Sequence, residues 1–285
     1  METPSAKPVK LSIVTINRNN AAGLAKTLDS VRMQSFRDFE QIVIDGGSTD
    51  GSREILVARA DALAYWVSEP DAGVYAAMNK GLKRARGEYV QFLNSGDCLA
   101  SPSVLDSFFG GEKLGEDLLY GDFQRVDVTR RLPSEQPREL TVMNCFRHAI
   151  CHQSIFYKRE LFDQLGPYDE RLRIAADWGF NIRVLLAGRS TRHLPVTVVQ
   201  YEGAGISENL VAVARQEKLE ILRRLFPDAV YRDYLRMLFL EGECLRLKEF
   251  EDWTAQIRRR NLFVNIAMVS KWHWDKWTGR KDRRR

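Results

Sequence analysis

Short apolar runs that end in turn-forming residues recur four times before residue 97, and apolar residues spaced three to four apart follow the first three of them. Lys10–Ile16 reads as a strand ending at Asn17-Arg18-Asn19-Asn20. Asn19 or Asn20 is placed to cap a helix running to about Met33, with Leu24, Leu28 and Val31 on one face. Phe39–Ile44 is a second strand, broken by the segment from Asp45 to Gly51, with a helix from Ser52. Ala64–Val67 is a third, short strand, and Val74–Ala85 a helix stopped at Gly87. Tyr89–Leu93 is a fourth, halted at Asn94-Ser95-Gly96. Repeated strand–helix units of this length predict an α/β fold around a parallel, doubly wound sheet of the kind that binds nucleotides.

Beyond Asp97 the rhythm loosens. Leu118–Tyr120 and Phe123–Val128 read as two strands, and residues 130–139 as a polar loop containing proline. Ser154–Tyr157 and Val196–Tyr201 are further strands, with helices over Arg159–Leu165 and Asp177–Ala187. From Glu208 the pattern is helical, over about 209–226, 228–250 and 251–271.

Composition changes this picture little. Of 285 residues, 44% are hydrophobic and 28% charged, which excludes a largely disordered chain. Cys98, Cys145, Cys151 and Cys244 form no metal-binding spacing and read as reduced thiols of a cytoplasmic protein. Met1–Lys10 lacks the apolar core of a secretory leader, and no run reaches the length of a membrane span. Charge is more informative. The net value is +5, yet from Thr254 to Arg285 ten Lys/Arg face two acids, a local +8 that leaves about −3 for the rest. Trp272, Trp274 and Trp277 lie in this basic tail. Indoles favour the headgroup level and cations attract anionic lipid, so peripheral contact with the inner face of the cytoplasmic membrane is one reading. A solvated basic tail with core tryptophans is the other. No nucleic-acid-binding signature accompanies the charge.

Candidate chemistry sits at the strand tips, where open α/β sheets build ligand sites. The Asp45–Gly51 loop lets backbone approach a ligand closely, though taken alone it reads as a turn. Asp97 either holds a divalent metal against a diphosphate or caps a helix starting near Pro102. Asp177, in Ile174-Ala-Ala-Asp177-Trp178, is either a general base or a helix N-cap.

Four ordered segments carry a resemblance: Thr15-x-Asn17; Ile44-Asp45-Gly46-Gly47-Ser48-Thr49-Asp50-Gly51; Gly73-Val74-Tyr75-x-x-Met78-Asn79-Lys80-Gly81; and Gly87-Glu88-Tyr89-x-x-Phe92-Leu93-Asn94-Ser95-Gly96-Asp97. Together they are similar to the family-two inverting glycosyltransferases of GT-A fold, over about residues 9–207. The bacterial branch that builds capsule, exopolysaccharide or O-antigen units, with its Asn-Ser-Gly-Asp motif, is the most similar. The resemblance implies a mostly parallel, Rossmann-like sheet flanked by helices in a 1–207 domain. Its nucleotide half would cover about 9–97 and its acceptor half about 98–207, and residues 208–285 would be a helical extension. It implies transfer from a nucleotide-sugar, expected to be a UDP-sugar, to a saccharide hydroxyl on a lipid-linked acceptor.

Residue by residue, the resemblance implies that Thr15, Asn17, Asp45 and Asp71 line the nucleotide pocket, with Asn94 and Ser95 beside them on the donor side. Asp97 would hold Mn²⁺ or Mg²⁺, and Asp177 would be the base. Lys80, read from its own position, either reaches phosphate or is a solvated helix charge. His152, Gln153 and Trp178 are candidates for acceptor or diphosphate contacts, and Gly205 and Ser207 for a closing loop. Two positions depart from the pattern: Ser95 replaces the first acid of the metal motif, and Ala76 replaces a common Asp. These departures keep a non-catalytic nucleotide-sugar binder open as an alternative, beside a nucleotidyltransferase.

Overall fold

The computed structural model describes residues 9–111, 114–126, 131–147, 150–202 and 210–240. Its first half follows the hydrophobic rhythm closely. β1 (Leu11–Asn17), α1 (Ala21–Arg32), β2 (Phe39–Asp45), α2 (Ser52–Ala58), β3 (Tyr65–Ser68), α3 (Val74–Leu82) and β4 (Tyr89–Phe92) alternate along the chain. Asn20 caps α1, its side chain accepting from the Gly23 N–H, while Asn19 takes a positive φ of 49°. Leu24, Leu28 and Val31 are buried, as their spacing requires.

The second half is built from β5 (Cys98–Leu99), α4 (Val104–Phe109), β6 (Leu118–Val126), β7 (Arg131–Ser134), α5 (Val142–Arg147) and β8 (Ile155–Lys158). It continues with α6 (Glu160–Leu165), α7 (Ala176–Leu186), β9 (Thr191–Glu202) and α8 (Val211–Leu225). The nine strands of the described residues join one sheet in the order β3-β2-β1-β4-β8-β6-β9-β5, with β7 on β6. The β3-β2-β1-β4 part is parallel, whereas β8 runs antiparallel to both β4 and β6. The sheet is therefore mixed, parallel throughout where the strand–helix repeat is regular, while beyond β4 the antiparallel pairings of β8, β7 and β5 stand beside a parallel β6–β9 pair. Its core includes Leu11, Ile13, Tyr89, Phe108, Leu119, Phe156 and Val199.

Register sets up the site. Asn17 pairs with Asp45 and Asp45 with Ser68, so three polar side chains end three parallel strands side by side. Helix α3 is drawn tightly onto this sheet: a Cβ on Gly81 would collide with Cγ1 of Val14.

Two expectations need correction. The strands expected at 118–120 and 123–128 are one strand, continuous through a register shift at Gly121 and Asp122. The loop expected over 130–139 contains β7, which pairs with β6 despite Pro133. A proline is tolerated there because an edge strand has one side without a ladder.

The chain divides into two compact units, one reaching Ile221 and one beginning at Leu222. Within the first, Ile221 packs against Gly179 of α7. In the second, residues 228–240 are helical. The candidate loop residues Gly205 and Ser207, and the tail with Trp272, Trp274 and Trp277, lie outside the described residues. No helix of the described residues is long and apolar enough to cross a membrane.

Candidate functional site

The site begins at the aligned tips of β1, β2 and β3. Asp45 is fully buried there. It accepts hydrogen bonds from Asn17 Nδ2 at 2.7 Å, from the Ser48 hydroxyl, from the Ser48 N–H at 3.0 Å and from Ser68 Oγ at 2.6 Å. Burial alone would raise this carboxyl, but the bonds from Ser48, Ser68 and Asn17 outweigh it and hold it below its ordinary value. Four donors fill the acceptor capacity of a carboxylate. Asp45 thus orders the floor of the site, and Thr15, also fully buried, lies within the β1 strand that forms it. Asp71 pairs with Lys80, whose ammonium also bonds Glu69 at 2.8 Å. Burial disfavours the Lys80 charge, yet the bonds to Asp71 and Glu69 raise its pKa.

The segment after β4 runs on along β1, with the Ser95 N–H bonded to the Ile16 carbonyl. Asn20 Nδ2 donates to the Ser95 carbonyl at 3.1 Å and lies 3.3 Å from its hydroxyl. Gly96 turns with φ at 103° and donates to Thr27 Oγ1, which in turn donates to the Asp97 carbonyl at 2.8 Å. This glycine conformation is disfavoured for other residues. Helix α4 is capped at Ser103, so Asp97 does not cap it.

The decisive geometry lies in the 3₁₀ turn His152–Ser154. Gln153 Nε2 donates to Asp97 Oδ2 at 2.9 Å. The adjacent His152 faces the other acid, with Nδ1 3.4 Å from Asp177 Oδ2 and Nε2 3.2 Å from Asn94 Nδ2. Consecutive residues therefore touch two carboxylates that stand 80 positions apart in the sequence. Burial holds His152 below the ordinary histidine value, and the Asp177 charge opposes this only in part.

Asp177 is the second residue of α7, whose N-cap is Ala175. Its carboxylate does not serve as that cap; Oδ1 accepts the Tyr75 hydroxyl at 2.7 Å. Tyr75 is 4% exposed, and burial followed by the Asp177 charge pushes its pKa well up, so it remains a donor. Trp178 is buried, with Nε1 donating to the Cys145 carbonyl at 2.7 Å and Lys218 Nζ 5.0 Å from its ring centroid. That indole belongs to the packing behind Asp177. Tyr75 stands in the third of the segments that carry the resemblance but had no role assigned there, and Glu217, which binds the turn before α7, was not singled out. Their partners lie 102 and about 43 residues away, so no local pattern shows either contact.

Residues 12–166 match glycosyl transferase family 2. The chain belongs to this family. Among its relatives, the PGL/p-HBAD biosynthesis glycosyltransferase of Mycobacterium tuberculosis is 37% identical over 221 residues, covering 75% of this chain and 85% of that protein. The fold is similar to that of Staphylococcus aureus TarS, solved in complex with UDP-GlcNAc, with a TM-score of 0.59 and 21% identity over 79% of this chain and 70% of that one. The mannosyltransferase PcManGT of Pyrobaculum calidifontis, solved with GDP-Man and Mn²⁺, has a TM-score of 0.57 and 21% identity, covering 78% of this chain and 65% of that one. This family-two protein is a glycosyltransferase with a GT-A-like fold.

Proposed function

We propose that this glycosyltransferase moves a sugar from a UDP-sugar to a hydroxyl of a lipid-linked saccharide, with inversion, in bacterial surface-polysaccharide synthesis. The observation that carries the reading is the His152–Gln153 turn, which touches Asp177 with one residue and Asp97 with the next. An inverting displacement needs a base on one side of the anomeric carbon and a stabilised leaving group on the other.

In this mechanism Asp177 accepts the proton of the acceptor hydroxyl as the new C1–O bond forms. The bond from C1 to the diphosphate breaks on the opposite face, and UDP departs with the electron pair. The Tyr75 hydroxyl donates to Asp177 Oδ1 and His152 Nδ1 stands 3.4 Å from Oδ2, so both carboxylate oxygens are held in orientation. Asn17, Asp45, Ser48 and Ser68 form the ordered floor under the nucleotide, and Asn94 and Ser95 shape the turn beside the diphosphate.

A divalent cation, Mn²⁺ or Mg²⁺, fits the donor set on one condition. Asp97 supplies a hard oxygen ligand, and the side-chain amide oxygen of Asn94, Oδ1, is buried without a hydrogen-bond partner among the described residues. No cluster of three or more candidate ligands exists among those residues, so the nucleotide diphosphate and waters must complete the shell. When bound, the ion would supply Lewis-acid stabilisation of the leaving diphosphate.

The test is Asp177→Asn, assayed for transfer from labelled UDP-sugars with Mn²⁺ beside a thermal-shift panel of UDP-, GDP- and dTDP-sugars. Turnover should fall by about 10²–10⁴-fold, while the Tm rise given by UDP-sugars should persist. Retained turnover removes Asp177 as the base, and stabilisation by GDP- or dTDP-sugars alone removes the UDP assignment.

A further inference from the structure

The acid assigned as base depends on a carboxylate from a helix beyond the residues 12–166 that match the family. Glu217 of α8 is buried, and both its oxygens bind backbone. Oε1 accepts the Arg173 N–H at 2.7 Å, and Oε2 accepts the N–H groups of Ile174 and Ala175, each at 3.0 Å. These are the last three residues before α7, and Asp177 is the second residue of that helix. Ala175, at the cap position, has no side chain able to satisfy an N–H group. At the Ala175 N–H, Glu217 thus meets from a distance the need that the Glu or Gln of a capping box usually meets locally.

The next residue along α8, Lys218, lies over the ring of Trp178, the neighbour of Asp177. Ile221 closes the same contact against Gly179, where a Cβ would stand 3.1 Å from Cδ1 of that isoleucine. Three successive contacts from α8 therefore fall on residues 173–179, the segment bearing Asp177.

We propose that Glu217 is a positioning residue for Asp177, and that α8 is a working part of the transfer site. The inference rests on the reading of Asp177 as the base. The carboxylate fixes the turn from which α7 starts, and that turn fixes where Asp177 meets Tyr75 and His152. Small displacements at a reacting centre are costly, with about 1 Å worth up to about 10²-fold in rate. Donor binding, formed by β1–β4 and their loops, lies outside the reach of Glu217.

The experiment compares the full chain with Glu217→Ala, Glu217→Gln and Asp177→Asn. Hydrolysis of UDP-GlcNAc and UDP-glucose with Mn²⁺ is measured beside UDP affinity and amide hydrogen exchange. In Glu217→Ala, kcat should fall by about 10–100-fold, with KM for the donor and Kd for UDP unchanged. Exchange should speed up at residues 173–177. Glu217→Gln retains an acceptor oxygen and should recover part of kcat. Asp177→Asn should lose turnover while leaving exchange at 173–175 as in the parent. Unchanged exchange at 173–177 in Glu217→Ala overturns the inference whatever the turnover, as does accelerated exchange with kcat intact. Loss of UDP affinity in both Glu217 variants also overturns it, since the effect would then be global. If the parent hydrolyses neither donor, the functional reading is what fails, and the exchange arm still decides whether Glu217 holds the Asp177 turn.

Discussion

The protonation of His152 follows from its two neighbours. A carboxylate only accepts hydrogen bonds, so the hydrogen is expected on Nδ1, the nitrogen 3.4 Å from Asp177 Oδ2. Burial keeps the ring neutral, which leaves Nε2 as an acceptor, and Asn94 Nδ2 is a donor placed to fill it. The neutral Nδ1–H tautomer is therefore expected, and long-range ¹H–¹⁵N spectra of the ring would register it. An Nε2–H pattern would contradict the geometry. The same burial gives a pH dependence of stability. The unfolded ring takes up a proton near its ordinary value of about 6.5, whereas the folded ring resists it until lower pH. Stability from this residue is thus full above that ordinary value and declines as pH falls below it, toward the depressed folded pKa. Replacing His152 with Gln should flatten that part of the curve in urea titrations between pH 7 and pH 5. The sequence presented His152-Gln153 as a candidate pair but could not tell which acid each would meet. That pairing depends on a turn closed by β8 against β4 and β6, a relation between strands with no local trace.

At the scale of elements, α3 shows how a helix former can lose to packing. Gly81 lies in the last turn of α3, where Ala would be favoured by up to about 1 kcal/mol. Its added Cβ, however, would run into Val14 Cγ1 on the buried β1 strand and come within 3.4 Å of Ile44 Cγ1. Overpacking costs about 1–3 kcal/mol, so Gly81→Ala should destabilise by about 0–2 kcal/mol in urea titrations. In a Val14→Ala background the same change should be neutral or stabilising, because the space has been vacated. A loss of the same size in both backgrounds would place the cause elsewhere. Elements of this kind were legible because burial leaves a periodic apolar record, as in Leu24, Leu28 and Val31. Those that escaped leave none. β7 is four residues including Pro133, paired with β6, and α5 is a six-residue helix. β6 was read as two strands because Gly121 and Asp122 resemble a turn, whereas they are the site of a register shift. Gly121 is required there by close approach, since a Cβ would stand 2.5 Å from the Val196 carbonyl.

For the whole molecule, the unequal distribution of charge suggests where it works. A tail of local charge +8 follows a remainder near −3, and three indoles lie among the cations. A lysine or arginine near an anionic bilayer contributes about 1 kcal/mol, an attraction confined to roughly a Debye length. Indoles act differently, because their preference for the headgroup level does not need lipid charge. The two contributions can therefore be separated by sedimentation with vesicles. The full chain should bind vesicles containing phosphatidylglycerol more strongly than pure phosphatidylcholine, and binding should weaken as salt rises. Replacing Arg283, Arg284 and Arg285 with Gln should reduce only the salt-sensitive part. Replacing Trp272, Trp274 and Trp277 with Ala should lower binding to both kinds of vesicle. Equal binding of the parent to charged and neutral vesicles would remove the electrostatic role of the tail, and no binding to either would remove the membrane contact. An acceptor carried on lipid diffuses in two dimensions, so a transferase held at that surface meets it far more often than one free in solution.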